Sequence, residues 1–304
     1  MEAALGIVVR WALVADLMLL FGVPLFASYS APRVEAKTIA LFRSVILTAA
    51  LSGILLSGLG LAILAAIMSG VPLVQVDSAT LSMLAMQTAV GTAFLVRVGT
   101  LVAAFAFGVV SRGRREIFLA GALCGAVALG SLAWSGHGVM DDGRTGTVHL
   151  VADIVHLLAA GVWVGALASL LWLLATAQDD GTAAAHQALA GFASVGTASV
   201  ALVLASGLIN SWLLVGPQNL LSLGTSLYGQ LLLMKLGLFA GMVALAASNR
   251  FRLTPVLGAA RTPGDSHHAL QRLRLSLMLE AFAALAVLGL VAKIGTLEPP
   301  VSTL

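Results

Sequence analysis

His149, Asp153 and His156 are spaced i, i+4, i+7, which at 3.6 residues per turn of helix places them on one stripe. They open a long apolar run, Val151 to Ala175. Placing one charge in lipid costs roughly 3 kcal/mol, so ionisable residues at such a position need a purpose. Two imidazoles and a carboxylate form a metal-ligand set suited to copper, zinc, iron or nickel. Asp153 could ligate directly, or accept a hydrogen bond from a histidine N–H and fix its tautomer. The plainer alternative is that His149 caps a loop and Asp153 pairs with a basic residue elsewhere. His137 lies just upstream in Ser135-Gly136-His137-Gly138, with Met140 in the same stretch. Met83 and Met86 are spaced i, i+3, so their thioethers can face one way. Thioethers are soft and select Cu(I), although methionine also fills cores. The candidate metal ligands are therefore His137, His149, Asp153, His156, Met83 and Met86, and the expected metal is a copper ion.

These residues need a scaffold, and composition defines it. The chain has 304 residues, 60% hydrophobic and 10% charged, with a mean hydropathy of +1.03. A soluble domain carries about 25% charge. The apolar runs are continuous and reach the roughly 20 residues that a helix needs to span a bilayer. A β-barrel would alternate apolar and polar residues instead. The expected fold is an all-α, polytopic bundle of eight transmembrane helices, forming one integral-membrane unit over residues 1–304. The spans read as 5–29, 39–68, 87–110, 116–135, 150–175, 188–214, 226–248 and 275–295, with Pro32, Pro72, Gly216-Pro217 and Pro255 near the breaks.

Lysine and arginine in short loops set the orientation. Arg33 and Lys37 follow the first span, Arg112, Arg114 and Arg115 the third, and Arg250, Arg252, Arg261, Arg272 and Arg274 the seventh. The alternate connections carry Asp77, then Asp141, Asp142 and Arg144, then no charge. All basic connections fall on one side, so both termini are expected to be periplasmic. His137, His149, His156, Met83 and Met86 then lie towards the periplasm, and His186, His267 and His268 towards the cytoplasm.

Arg10, Asp16, Arg43, Arg97, Lys235 and Glu280 also fall in or near apolar runs. Such residues usually face the bundle interior and pair. Lys235 with Glu280 is the expected pair, and Arg97 could serve Glu280 or Asp16; a conduction or proton pathway is the sharper alternative. Cys124 is the single cysteine, an ordinary small core residue or a transit ligand for Cu(I). Gly53, Gly58 and Gly60, and Gly161 with Gly165, permit close helix approach. No nucleophile–base–acid arrangement, phosphate-cradling loop or nucleotide motif is present, so no enzyme activity is expected. Membrane anchoring explains the basic loops, and no nucleic-acid partner is expected.

Several stretches resemble the copper-resistance protein D (CopD) family. His156-Leu-Leu-Ala-Ala-Gly-Val-Trp-Val-Gly165 is similar to its fifth-span signature, and Ser206-Gly207 with Asn210-Ser211 to the next span. Tyr228-Gly229, Leu233, Lys235, Leu236, Phe239, Met242, Ala247-Ser-Asn-Arg-Phe251 and Pro255 resemble the seventh span and its exit. Leu273-Arg-Leu-Ser-Leu-Met-Leu-Glu280 and Val291-Ala-Lys-Ile-Gly295 resemble the last span. The resemblance covers the chain from about Ser135 onwards; before that it is one of hydropathy and span count. It implies a multi-pass inner-membrane protein that moves copper from periplasm to cytoplasm, often with a separate periplasmic copper-binding partner of the CopC type. It carries His137, His156, Lys235 and Glu280 over as family positions. The competing expectation is a haem b electron carrier with two axial histidines, His156 with His137 or His186.

Overall fold

The structure is a computed structural model that describes residues 1–30, 36–111, 113–135, 143–176, 182–260 and 262–300. His137 and Met140 lie outside the described residues. Ten α-helices are described: α1 Glu2–Ser30, α2 Ala36–Ser69, α3 Ser78–Gln87, α4 Ala89–Val110, α5 Arg114–Gly130, α6 Gly143–Thr176, α7 Thr182–Leu214, α8 Leu227–Ser248, α9 Thr254–Ala259 and α10 Pro263–Ile294. The described helices form eight segments long and apolar enough to cross a membrane; α9 continues the α8 segment, Leu227–Ala259, and α3 lies outside them. The chain is a multi-pass membrane protein.

Three boundaries differ from the sequence reading. Helix α6 begins at Gly143, two turns before the expected start at residue 150, so His149 sits inside a helix rather than capping a loop. The 87–110 span starts cleanly because Thr88 is extended and its hydroxyl accepts from the Gly91 N–H at 2.9 Å. That cap cuts off a separate short helix, α3, which carries Met83 and Met86. The basic 249–273 stretch, read as a loop, holds a π turn at Asn249–Leu253, α9, and the first turns of α10. Thr262 caps α10 by accepting from the Asp265 N–H at 3.1 Å, and Pro263 fits the first helical turn.

Helix α1 is the hub and packs against α2, α5, α6 and α10. One core gathers Leu17, Leu20, Phe21, Ile46, Leu101, Phe118 and Leu129 from α1, α2, α4 and α5. A second gathers Trp163, Leu170, Leu174, Met242, Leu273 and Leu277 from α6, α8 and α10. Helices α1 and α6 cross at glycine. A Cβ on Gly165 would lie 2.3 Å from the Gly22 Cα, and one on Gly22 would lie 2.2 Å from the Gly161 carbonyl oxygen. The close approach expected of Gly161 and Gly165 is real. Gly53 is similarly confined by Leu101 and Asp16, whereas Gly58 faces open space.

Charged residues in the spans are satisfied mostly by hydroxyls and carbonyls. Arg97 is buried and donates to Ser57 at 3.1 Å and to Ser131 at 3.2 Å. Asp16 accepts from Ser52 at 2.6 Å. Arg43 donates to the Ser111 carbonyl, and Arg274 to the Leu174 carbonyl. Arg97 therefore serves neither Glu280 nor Asp16: its guanidinium is consumed by two serines on α2 and after α5.

Candidate functional site

The α6 stripe points into the bundle. His149 is 1% exposed, and Asp153 and His156 are half-buried. Antiparallel α7 supplies their partners. Asn210 Nδ2 donates to Asp153 Oδ1 at 2.6 Å, and His156 Nδ1 lies 3.0 Å from Ser206 Oγ. The register follows from helix geometry: Ser206 and Asn210 are one turn apart on α7, as Asp153 and His156 are on α6. Gly207 of α7 borders the ring, and a Cβ there would lie 3.4 Å from His156 Cε1, in van der Waals contact.

The hydroxyl positions the imidazole. Ser206 Oγ lies 2.6 Å from the Leu202 carbonyl, to which it can donate its one proton while accepting from His156 Nδ1. With the proton on Nδ1, Nε2 presents its lone pair to a ligand. An outer partner of this kind is what a metal-ligating histidine ordinarily has.

Asp153 is the electrostatic centre of this half of the bundle. It interacts with His149, Lys235 and Arg10, and with Tyr228. Lys235 and Tyr228 come from α8, two turns apart on one face. Arg10 comes from α1 and donates to the Gly295 carbonyl at 3.0 Å, at the C-terminal end of α10 where a cation is favoured. Lys235 and Arg10 act on Asp153 through space, and among the described residues neither closes an ion pair with it. The expected Lys235–Glu280 pair does not form. Lys235 faces Asp153, and Glu280 is bound to Asn249, 14 positions further along α8 and its π turn, about 21 Å away at 1.5 Å per residue.

Glu280 forms a second polar group. It is 1% exposed and accepts from Trp163 Nε1 at 2.6 Å and from Asn249 Nδ2 at 3.1 Å. Trp163 lies on the same α6 stripe as His156, two turns on, or about 10 Å. It stacks edge-on against Phe239 of α8 with ring centroids 5.8 Å apart. An aromatic pair thus separates the histidine–aspartate cluster from Glu280.

The remaining candidates lie elsewhere. Met83 and Met86 are 48% and 68% exposed on α3, which packs on α2 and α4, away from the cluster on α6, α7 and α8. The capped break at Thr88 turns them out. Cys124 is half-buried on α5 and lies on none of the cluster's helices. Among the described residues no three His, Cys, Asp or Glu side chains are grouped so as to hold a metal ion. His149, Asp153 and His156 share a stripe, but Asp153 and His156 each turn to a separate α7 partner.

The haem pairing of His156 with His186 is excluded by geometry. His186 lies near the start of α7 against Gly258, whereas His156 touches Ser206, 20 positions along the same helix, about 30 Å away. Sequence reasoning missed Ser206, Asn210, Arg10 and Tyr228 as partners. Ser206 and Asn210, a polar i, i+4 pair in an apolar run, and Arg10, a charge in one, carried a usable signal without naming the partner; Tyr228 did not.

Comparison with known proteins gives two family models. One, described as the copper resistance protein D-like N-terminal domain, matches residues 1–147, and the other, copper resistance protein D, matches residues 186–294. The chain is 41% identical over 98% of both lengths to copper resistance protein D of Pseudomonas syringae pv. tomato. It is 34% identical to the inner membrane protein YebZ of Escherichia coli (strain K12) over 55% of each chain. It is 35% identical to the copper transport protein CutJ of Bacillus subtilis (strain 168), over 38% of this chain and 21% of that one. No solved structure matches.

Proposed function

The chain belongs to the copper resistance protein D family, and from that premise we propose that it carries copper ions from the periplasm through the inner membrane towards the cytoplasm. The observation that carries this reading is the seat of His156: a half-buried imidazole whose Nδ1 lies 3.0 Å from Ser206 Oγ, an arrangement suited to Nε2 as the ligating nitrogen. His149 and Asp153 lie on the same stripe without being gathered into a three-ligand group, so they would close on an arriving ion, and His137 is the further ligand that the sequence offers. Imidazole suits copper, and Asp153 lowers the cost of bringing a cation into the bundle.

Lys235 acts as a tethered cation at this site. Its ammonium acts on Asp153 through space, so an arriving copper ion competes with it for the carboxylate. That competition weakens binding enough for release, as conduction requires. The aromatic pair Trp163–Phe239 then stands between the entry site and the Glu280 side of the bundle.

The loop charges support entry from the periplasm, because the basic connections belong on the cytoplasmic side. Both termini are then periplasmic, and a separate copper-binding protein of the CopC type is the natural donor. The whole chain acts as one conduit in the lipid bilayer and performs no enzymatic step. The test is copper accumulation in cells alongside metal analysis and an optical spectrum of the purified protein. The reading expects bound copper, lost in His156→Ala, and no haem absorption. A Soret band, or wild-type accumulation by a normally inserted His156→Ala, would overturn it.

A further inference from the structure

We infer that the cavity beside Glu280 binds a membrane-soluble molecule with a long apolar body and a hydrogen-bond-donating head, a hydroxyl or an ammonium. The cavity holds about 360 Å³ and is bounded by α6, α7, α8, the π turn and α10. That volume is within the range of small-molecule sites. Its walls are aliphatic and aromatic, with Leu170, Phe192, Val200, Val243 and Leu277 among them.

One wall is polar. Asn249 is 6% exposed; one N–H of its Nδ2 donates to Glu280, and its Oδ1 has no hydrogen-bond partner. Each Glu280 oxygen accepts one hydrogen bond, from Trp163 or Asn249, and retains capacity for another. Trp163 has no second donor. The unpartnered buried atom on this wall is therefore an acceptor, Asn249 Oδ1, with the Glu280 carboxylate beside it, and an orphaned buried acceptor is costly. The complementary group is a donor.

The apolar part of the ligand follows from the access route. Leu204 of α7 and Phe251 of the π turn lie on the rim and are 47% and 69% exposed. Helix α7 packs on α6 and α9 rather than along α8, which leaves the cavity open between them. An anionic head is disfavoured at the inner wall, where the Glu280 carboxylate and Asn249 Oδ1 would face it. Bare water is a poor occupant of walls this apolar. The π turn that positions Asn249 is a backbone irregularity frequent at functional sites.

This site is separate from the copper entry site, and it is tested without copper. The chain is reconstituted in phosphatidylcholine nanodiscs, whose headgroup has no donor. Equilibrium binding is measured for radiolabelled octadecan-1-ol, octadecylamine and methyl octadecyl ether. The alcohol, the amine or both should bind saturably and about tenfold more tightly than the ether, the worth of one hydrogen bond. Preference for the alcohol identifies a neutral head, and preference for the amine an ammonium. Asn249→Leu should erase the preference. Ala246→Phe and Ala193→Phe, which fill the cavity from α8 and α7, should abolish binding in protein that keeps its helical circular dichroism. Equal binding of the ether, no saturable binding, or full binding in both filled variants overturns the proposal.

Discussion

Asn210 of α7 donates a 2.6 Å hydrogen bond to Asp153 of α6, one helical turn from where Ser206 of α7 meets His156 of α6 at 3.0 Å. Two polar rungs thus lock the register of two otherwise apolar helices. Asn210→Leu should destabilise the protein by about 1–3 kcal/mol, because it strips a donor from a buried carboxylate. The check is a thermal melt in detergent. An unchanged melting temperature would mean that Asp153 is satisfied by its cationic neighbours alone.

Ser206 and His156 should separate by degree. His156→Ala removes the ligand nitrogen and should abolish copper-dependent gain in cell metal. Ser206→Ala leaves the nitrogen but frees the ring to change tautomer, and loss of such a partner costs about 10- to 100-fold in metal affinity. Copper titration of the purified variants measures both. Equal effects would assign Ser206 and His156 to packing.

Lys235→Met should tighten copper binding and slow its release, since the tethered cation no longer competes for Asp153. Stopped-flow transfer of copper to a chelator reads the release rate. Weaker binding in this variant would instead make Lys235 a structural partner of Asp153.

Gly165→Leu should prevent stable assembly, because a Cβ added at this position would collide with the Gly22 backbone. Gly99→Ala is the contrast: nothing lies within 4 Å of a Cβ there, and alanine gains about 0.5–1 kcal/mol over glycine within a helix. Yields of folded protein and melting temperatures distinguish the two.

Asp77 should give α3 a mild pH dependence. The Thr80 backbone N–H, donating to its carboxylate at 2.6 Å, holds the group below its usual range. A depressed folded value means that this stabilisation is present above the unfolded carboxylate range, about pH 3.9, and is lost as pH falls through the folded value. Hydrogen exchange of the α3 amides should be pH-independent in protection at neutrality and lose protection only in acid. Asp77→Ala should expose those amides at every pH.

The sequence by itself determined the all-α class, the eight spans and the stripe of His149, Asp153 and His156. Each of these rests on short-range physics: lipid demands about 20 apolar residues per helix, and side-chain direction repeats every 3.6 residues. The Gly161–Gly165 approach was legible for the same reason, as a local spacing with one use. Helix ends were less legible, because a hydroxyl cap at Thr88 and a π turn at Asn249 depend on backbone geometry that hydropathy does not record. Only the tertiary structure decided who faces whom. It gave Glu280 to Trp163 and Asn249 rather than to Lys235, gave Arg97 to two serines, and turned Met83 and Met86 away from the histidines. Pairing between helices depends on how each is rotated and at what depth it meets its neighbour. Packing across the whole bundle sets both, so charges that look complementary along the chain can end about 20 Å apart.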